Sequence, residues 1–253
     1  MASAVSRFGR ILAHRGANRE APENTQDAFD KALSHAIDGL ETDVQLSRDG
    51  IAVLWHDRSL DKLGLPERRI DDFDLATLKR LGTEAAQELM TLDDFIKRYR
   101  GRCILNPEIK IRAWETLARQ QTKIRLTLQA VGGSKVDDVF ISSFHLDSLI
   151  FAYRLNLSIP LFYLLDERHD DADKVDRVLR EQTFLQGFCL PIGLLDAALV
   201  KTLRQHDKSI VAYTCNSEEE IVKALELKVD MLISDDLPQA MRLRQARRSQ
   251  DSA

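Results

Sequence analysis

The sequence predicts an α/β fold, a (β/α)8 barrel with one antiparallel hairpin excursion after the second strand. Three observations predict it. The chain has 253 residues, a length that suits a single barrel domain over 1–253. Short apolar runs alternate with longer periodic segments, the rhythm of a parallel sheet wrapped in helices. Nine runs read as strands, and one of them, Ile51 to Trp55, follows its predecessor by only the four residues Ser47-Arg48-Asp49-Gly50. Parallel neighbours need a crossover of about a dozen residues or more, so that strand is antiparallel. Removing it leaves eight strands joined by helical crossovers, the number that closes a barrel.

The elements follow in order. Ile11 to Ala13 is a short strand. Asn24 to Ile37 reads as a helix, with Ala28, Phe29, Ala32, Leu33 and Ala36 on one stripe. Leu40 to Leu46 and Ile51 to Trp55 are the hairpin strands, and Asp49-Gly50 is a strong short-range hairpin signal. Asp57 to Asp72 is irregular, a lid or rim loop. Leu75 to Leu81 and Leu92 to Tyr99 are helical, Cys103 to Ile109 is a strand, and a long helix runs from about Ala113 to Ala130. Strands then recur at Val139 to Ser142, Pro160 to Leu165, Gly187 to Leu190, Ile210 to Thr214 and Asp230 to Ile233. The helix Ser217 to Leu227 opens on a capping box of Ser217 and Glu220.

Composition narrows the function classes. A net charge of -4 argues against a broad nucleic-acid surface. Only the end of the chain, Arg242 to Arg248 within a tail over 239–253, is basic, and it reads as a solvated last helix that frays. Cys103, Cys189 and Cys215 are scattered and odd in number, so neither a disulfide framework nor a zinc cluster is expected. No stretch is apolar enough for a membrane span, and residues 1–10 lack the apolar core of a secretory signal. A cytoplasmic location is the default for such a chain.

The chemistry concentrates between Glu41 and Asp57. Glu41 and Asp43 are two apart, so on a strand both face the same side. If Leu46 pairs with Ile51, the register sets His56 opposite Glu41, and opposite residues share a face. Like charges gathered in a small volume call for a cation. Asn106, Glu108 and Lys110 alternate along the fourth strand and can face the barrel mouth with them. Three hard carboxylates, Glu41, Asp43 and Glu108, favour Mg²⁺ or Ca²⁺ over zinc. His14-Arg15-Gly16 ends the first strand at the mouth. Arg15 and Lys110 supply charge for an anion, and His14 and His56 titrate near neutrality. Together these groups fit phosphoryl chemistry. Phe144 and Tyr213 end strands and can line the pocket. His35, His145, His169 and His206 read as surface or capping residues, and Asp57 as an orienter of His56 or a cap.

These residues resemble those of the glycerophosphodiester phosphodiesterases. The likeness runs through Ala13-His14-Arg15-Gly16, Ala21-Pro22-Glu23-Asn24-Thr25, Glu41-Thr42-Asp43-Val44, Ser47-Arg48-Asp49-Gly50, His56-Asp57 and Glu108-Ile109-Lys110. It continues, more loosely, through Ser143-Phe144, Tyr213-Thr214 with Asn216, Val229-Asp230 and Ser234-Asp235. The resemblance implies a phosphatidylinositol-phospholipase-C-like barrel. It implies a phosphoric diester hydrolase that splits glycerophosphodiesters into an alcohol and sn-glycerol 3-phosphate through a cyclic phosphate. By motif it implies Glu41, Asp43 and Glu108 as metal ligands and His14 and His56 as the acid/base pair. Arg15 and Lys110 become phosphate contacts, with Phe144 and Tyr213 at the substrate.

The chain also departs from the family pattern. Tyr213 stands at a usual tryptophan, Lys228 at a usual glycine, and Pro107 interrupts the ladder of its strand. Leu63-Gly64-Leu65-Pro66-Glu67 replaces a glycine-rich rim after His56-Asp57, and a shortened insertion predicts a more open mouth. Two other readings compete: a phosphodiesterase for lysophospholipids or sphingolipids, and a catalytically silent ligand-binding barrel. The first calls for an apolar entrance, whereas this rim carries Arg68, Arg69, Asp71 and Asp72. The second calls for a lost histidine or carboxylate, and none is lost. The expected partner is a small glycerophosphodiester, with neither nucleic acid nor stable membrane insertion. The sequence leaves head group, metal and oligomeric state open.

Overall fold

In the computed structural model, which describes residues 8–156, 158–166 and 172–251, the strands alternate with helices from the first element to the last. In chain order the strands are β1 (Arg10–His14), β2 (Gly39–Leu46), β3 (Ala52–Leu54), β4 (Ile104–Ile109), β5 (Ile141–Ser143), β6 (Leu161–Leu164), β7 (Gly187–Pro191), β8 (Ser209–Tyr213) and β9 (Met231–Ser234). β1 pairs in parallel with both β9 and β2, so the eight parallel strands close into a barrel. β3 lies outside that ring, antiparallel to the last residues of β2.

The helices are α1 (Gln26–Ser34), α2 (Leu75–Glu84), α3 (Leu92–Tyr99), α4 (Leu117–Val131), α5 (Leu146–Leu155), α6 (Ala172–Glu181), α7 (Ala197–Gln205), α8 (Glu218–Glu226) and α9 (Leu237–Asp251). Their starts are written in short polar side chains. Thr25, Asp74, Thr91, Thr116, Asp196 and Ser217 each accept a hydrogen bond from a first-turn backbone N–H. Each such cap is worth about 1 kcal/mol. Ser217 and Glu220 complete the expected capping box.

The strand period of two divides the core into two layers. Leu12, Ile104, Phe140, Phe162, Cys189, Val211 and Met231 fill the barrel interior. Their neighbours Ile11, Leu105, Ile141, Leu161, Phe188, Ile210 and Leu232 face outward onto the helices. Gly187 makes room for this filling, because a Cβ there would lie 2.3 Å from a ring carbon of Phe162. Cys103, Cys189 and Cys215 are free thiols. Burial pushes them up, Cys215 to about 12.

Pro107 sits in β4 without a donor for β5, and Asn106 compensates. Its side-chain amide donates to the carbonyl of Phe140 at 3.3 Å and to Ser142 Oγ at 2.9 Å. An N–H at position 107 would have met that same carbonyl in a regular parallel ladder.

Two regions differ from their sequence reading. The rim from Asp57 to Asp72 contains two short 3-10 turns, Asp61–Leu63 and Ile70–Asp72. It has its own apolar cluster, in which Leu60, Leu63 and Ile70 pack on Val53, Trp55, Leu78 and Leu89. The basic tail continues as α9, where Ala240 and Leu243 are buried and Arg244 pairs with Asp38 at the foot of β1. His169 and residues 1–7 lie outside the described residues. Among the described residues, no helix is long and apolar enough to cross a membrane.

Candidate active site

The ladder register assembles the site at the C-terminal ends of the strands. His14 on β1 faces Glu41 on β2, Glu41 faces Asn106, and Asp43 faces Glu108 on β4. All these positions alternate onto the barrel's inner face. They border a cavity of about 200 Å³ whose wall includes His14, Arg15, Glu41, His56, Glu108, Lys110, Phe144 and Tyr213. Asp43 lies directly behind, so the structure brings together every residue singled out from the sequence. A larger groove of about 550 Å³ between the hairpin and α3/α4 shares none of these residues.

The three acids are buried, and one oxygen of each lies within 4.8 Å of the others. Lys110 Nζ approaches Asp43 Oδ1 at 2.9 Å and Glu108 Oε1 at 2.7 Å, yet neither oxygen receives a well-aligned hydrogen bond. Asp43 Oδ2 takes Arg15 Nε at 3.2 Å and the Asn24 amide at 2.9 Å. Burial raises Asp43, but Lys110 and Arg15 outweigh it and hold its carboxyl well below the usual range. Glu41 goes the other way: burial and the neighbouring Asp43 push it well up. Three carboxylates therefore share two cations, with buried oxygens incompletely satisfied. That donor set of hard, converging oxygens fits a divalent cation such as Mg²⁺ or Ca²⁺.

The loop after β1 is bent to serve this cluster. Arg15 and Asn24 adopt left-handed backbone conformations, with φ of 57° and 59°. Gly16 (φ 83°) passes so close to α1 that a Cβ would lie 2.7 Å from the Ala28 carbonyl carbon. Asn24 accepts from Thr42 Oγ1 at 2.6 Å while donating to Asp43, which locks its amide. Arg15 Nη1 continues to Glu23 at 3.1 Å. Arg15 therefore stays charged: burial opposes this, but Asp43 and Glu23 prevail.

Each histidine has its own carboxylate. His14 Nδ1 lies 2.7 Å from Asp235 Oδ1, and its Nε2 points toward Glu41 at 4.0 Å. Asn216 donates to the other Asp235 oxygen at 2.6 Å. Burial opposes ionisation of Asp235, but the bond from His14 wins and its carboxyl is held low. His56 Nδ1 contacts Asp57 Oδ1 at 2.9 Å. Lys62 then bridges Asp57 at 2.9 Å and Glu23 at 2.7 Å. Glu23, His56 and Asp57 cluster as metal ligands could, but Lys62 already supplies their positive charge.

The route that brings His56 to the site corrects the expected register. Leu46 pairs with Ala52, not Ile51, and Val44 with Leu54. A one-residue slip exchanges the faces of a strand. Continued regularly, this pairing would set His56 opposite Thr42, facing away from the acids. The pairing instead ends one rung past Leu54, where Trp55 N–H donates to Asp43 O at 2.9 Å, and the chain then turns. Buried Gln45 catches the turn, donating from Nε2 to Trp55 O at 2.8 Å and Asp57 O at 2.9 Å. Arg112 donates to the carbonyl of His56 and, at 3.3 Å, to Gln45 Oε1. The cavity wall closes with Phe144 and Tyr213, edge to face with centroids 6.2 Å apart; Lys110 Nζ sits 5.7 Å from the Phe144 centroid.

Asp235, Gln45, Asn24 and Arg112 were not singled out for these roles. Asp235 carried a readable signal, since it continues the inward alternation of Met231 and Ile233 past the end of β9. Gln45 shares the parity of Glu41 and Asp43. Nothing local marks Arg112.

A closed parallel barrel with carboxylates, cations and paired histidines at its C-terminal mouth is the architecture of a barrel hydrolase. The chain belongs to the glycerophosphoryl diester phosphodiesterase family, whose model matches residues 14–238. It is 26% identical over 246 residues to a glycerophosphodiester phosphodiesterase of Bacillus altitudinis, covering 93% of this chain and 98% of that one. It is 28% identical over 239 residues to one of Bacillus subtilis, covering 86% and 80%. Among solved structures, a glycerophosphodiester phosphodiesterase of Thermotoga maritima superposes with a TM-score of 0.76 at 27% identity, covering 92% and 97%. An Oleispira antarctica phosphodiesterase in complex with sn-glycerol-3-phosphate gives 0.78 at 24%, covering 95% and 97%.

Proposed function

We propose that this protein is a metal-dependent glycerophosphodiester phosphodiesterase that releases an alcohol and sn-glycerol 3-phosphate. One observation carries the reading: Glu41, Asp43 and Glu108 converge within 4.8 Å between two separately anchored histidines. The product held by the Oleispira antarctica relative is of the same class. Glu41, Asp43 and Glu108 would hold Mg²⁺ or Ca²⁺, which when bound offsets the negative charge that gathers on the phosphoryl oxygens. Arg15 and Lys110 contact the phosphate and stabilise the same charge. Phe144 and Tyr213 pack on the substrate's carbon skeleton.

The substrate's glycerol 2-hydroxyl attacks phosphorus. One histidine takes the hydroxyl proton as the O–P bond forms, and the other gives a proton to the alcohol oxygen as its bond to phosphorus breaks. Water then opens the cyclic phosphate, with the two histidines exchanging roles. Asp235 and Asp57 hold the two rings by Nδ1, which leaves each Nε2 for the substrate.

We read the chain as a single domain over 1–253 in a reducing, cytoplasmic setting, in keeping with three free cysteines. The test couples glycerophosphocholine hydrolysis to glycerol 3-phosphate detection, with EDTA and with Mg²⁺ or Ca²⁺ restored. Activity that disappears with EDTA and returns with metal is expected. Inactivity on every glycerophosphodiester with both metals refutes the reading.

A further inference from the structure

A second cavity, of about 520 Å³, opens beside the central one and shares His56, Glu108, Lys110 and Phe144 with it. Its remaining wall carries Arg58, Arg112 and His145, with Asp166 and Lys174 across from them. Arg112 is half-buried, and its guanidinium bonds are to neutral oxygens, the His56 carbonyl and the Gln45 amide. Three acids act on it through space, and each pairs directly with another cation. Glu108 and Asp43 are on Lys110, and Glu115 Oε1 is on Lys123 at 2.7 Å. Arg58 is exposed at the lip. Among the described residues neither Arg58 nor Arg112 makes an ion pair with a carboxylate. Burial lowers the Arg112 pKa against the pull of Asp43 and Glu108, and the like charge of Arg58 adds to the lowering.

Two guanidiniums on one cavity wall, neither in a direct ion pair, leave their donor forks open to an added anion, which also eases their mutual repulsion. Guanidinium forks match phosphate and carboxylate oxygens, and charge-assisted bonds of this kind are the strong ones. The adjoining cavity beyond Tyr213 shares Phe144 and Asp166 with this one and adds Glu220, with neither lysine nor arginine among its described residues. We propose that Arg58 and Arg112 form a head-group subsite selecting glycerophosphodiesters whose departing alcohol carries a second anionic group, a phosphate or a carboxylate. The proposal rests on the phosphodiesterase reading above. The scissile phosphate sits at Arg15 and Lys110, and the departing alcohol extends past His56 to the arginines.

The test compares kcat/KM for glycerophosphoinositol 4-phosphate, glycerophosphoserine, glycerophosphoglycerol and glycerophosphocholine, reading glycerol 3-phosphate. The phosphate-bearing ester should exceed the choline ester by about 10- to 100-fold, the range of one charge-assisted bond. Raising the salt to 0.5 M should shrink that ratio. Arg58→Gln should cut it about tenfold and Arg58→Lys by less; Arg58 is the test position because Arg112 also holds the His56 carbonyl. The serine ester separates carboxylate from phosphate recognition. Titration calorimetry of the metal-free protein with the same esters reads the subsite without turnover. Equal or better use of the choline or glycerol ester, matched in calorimetry, overturns the head-group assignment and leaves the phosphodiesterase reading standing. If no ester turns over, that reading falls, and the calorimetric ranking still decides whether the arginines bind an anion.

Discussion

The carboxylate of Asp235 lies 2.7 Å from Nδ1 of His14, across 221 positions of sequence. An ionised aspartate can only accept, so this contact puts the His14 proton on Nδ1 and leaves Nε2 free to receive one. His14→Ala should lower kcat by about 10²- to 10⁴-fold, the usual contribution of a general acid or base. Asp235→Asn should cost about tenfold or more, because an amide can donate to Nδ1 and select the wrong tautomer. Steady-state kinetics on glycerophosphocholine, with circular dichroism as a control for folding, check both; an Asp235→Asn enzyme with full kcat rules out the orienting role.

His56 depends on Gln45 in another way, through the backbone. Gln45→Ala leaves the Trp55 and Asp57 carbonyls without their donor. The cost should be about 1–3 kcal/mol of stability, the penalty for orphaned buried polar groups. It should also lower kcat more than it raises KM. Urea denaturation and kinetics together decide; wild-type values in both would remove Gln45 from the account.

The carboxylate trio should report metal through stability as well as activity. A ligand that binds only the folded chain at 100 times its Kd adds about 2.7 kcal/mol. EDTA-treated protein should therefore melt at a higher temperature once Mg²⁺ or Ca²⁺ is added, and Glu108→Gln should lose most of that shift. A Glu108→Gln melting shift equal to wild type would remove Glu108 from the ligand set.

Acid should unfold the protein through its histidine-paired aspartates. The bond from His56 lowers the folded-state pKa of Asp57 despite opposing burial, and the bond from His14 overcomes burial to lower that of Asp235. A depressed carboxyl binds fewer protons folded than unfolded. Its stabilisation is complete above the unfolded value of about 3.9 and is lost as pH falls toward the folded one. Urea midpoints should thus drop from about pH 5 downward, and less steeply in Asp57→Asn. A wild-type slope in that variant would discount the pairing.

Much of the barrel was legible because it is written in local signals. Alternating and continuous apolar runs marked the strands, and Ser217 with Glu220 marked the start of α8. The site acids were legible because Glu41 and Asp43 stand two apart on a strand whose faces alternate. The register of the hairpin was not. Pairing Leu46 with Ile51 or with Ala52 differs by one residue, and the turn sequence tolerates both.

The sequence by itself determined the fold class, the family and the side chains at the mouth, since each follows from periodicity or a contiguous motif. The tertiary structure alone decided who serves whom: Asp235 under His14, Gln45 and Arg112 behind His56, Lys62 between Glu23 and Asp57. These partners come from different strands and loops. Asp235 reaches His14 because the closed ring sets β9 beside β1, and Arg112 reaches Gln45 because β4 runs beside β2. A barrel closed by hydrogen bonds fixes register all round its mouth, and no local rule carries that information from one strand to the next.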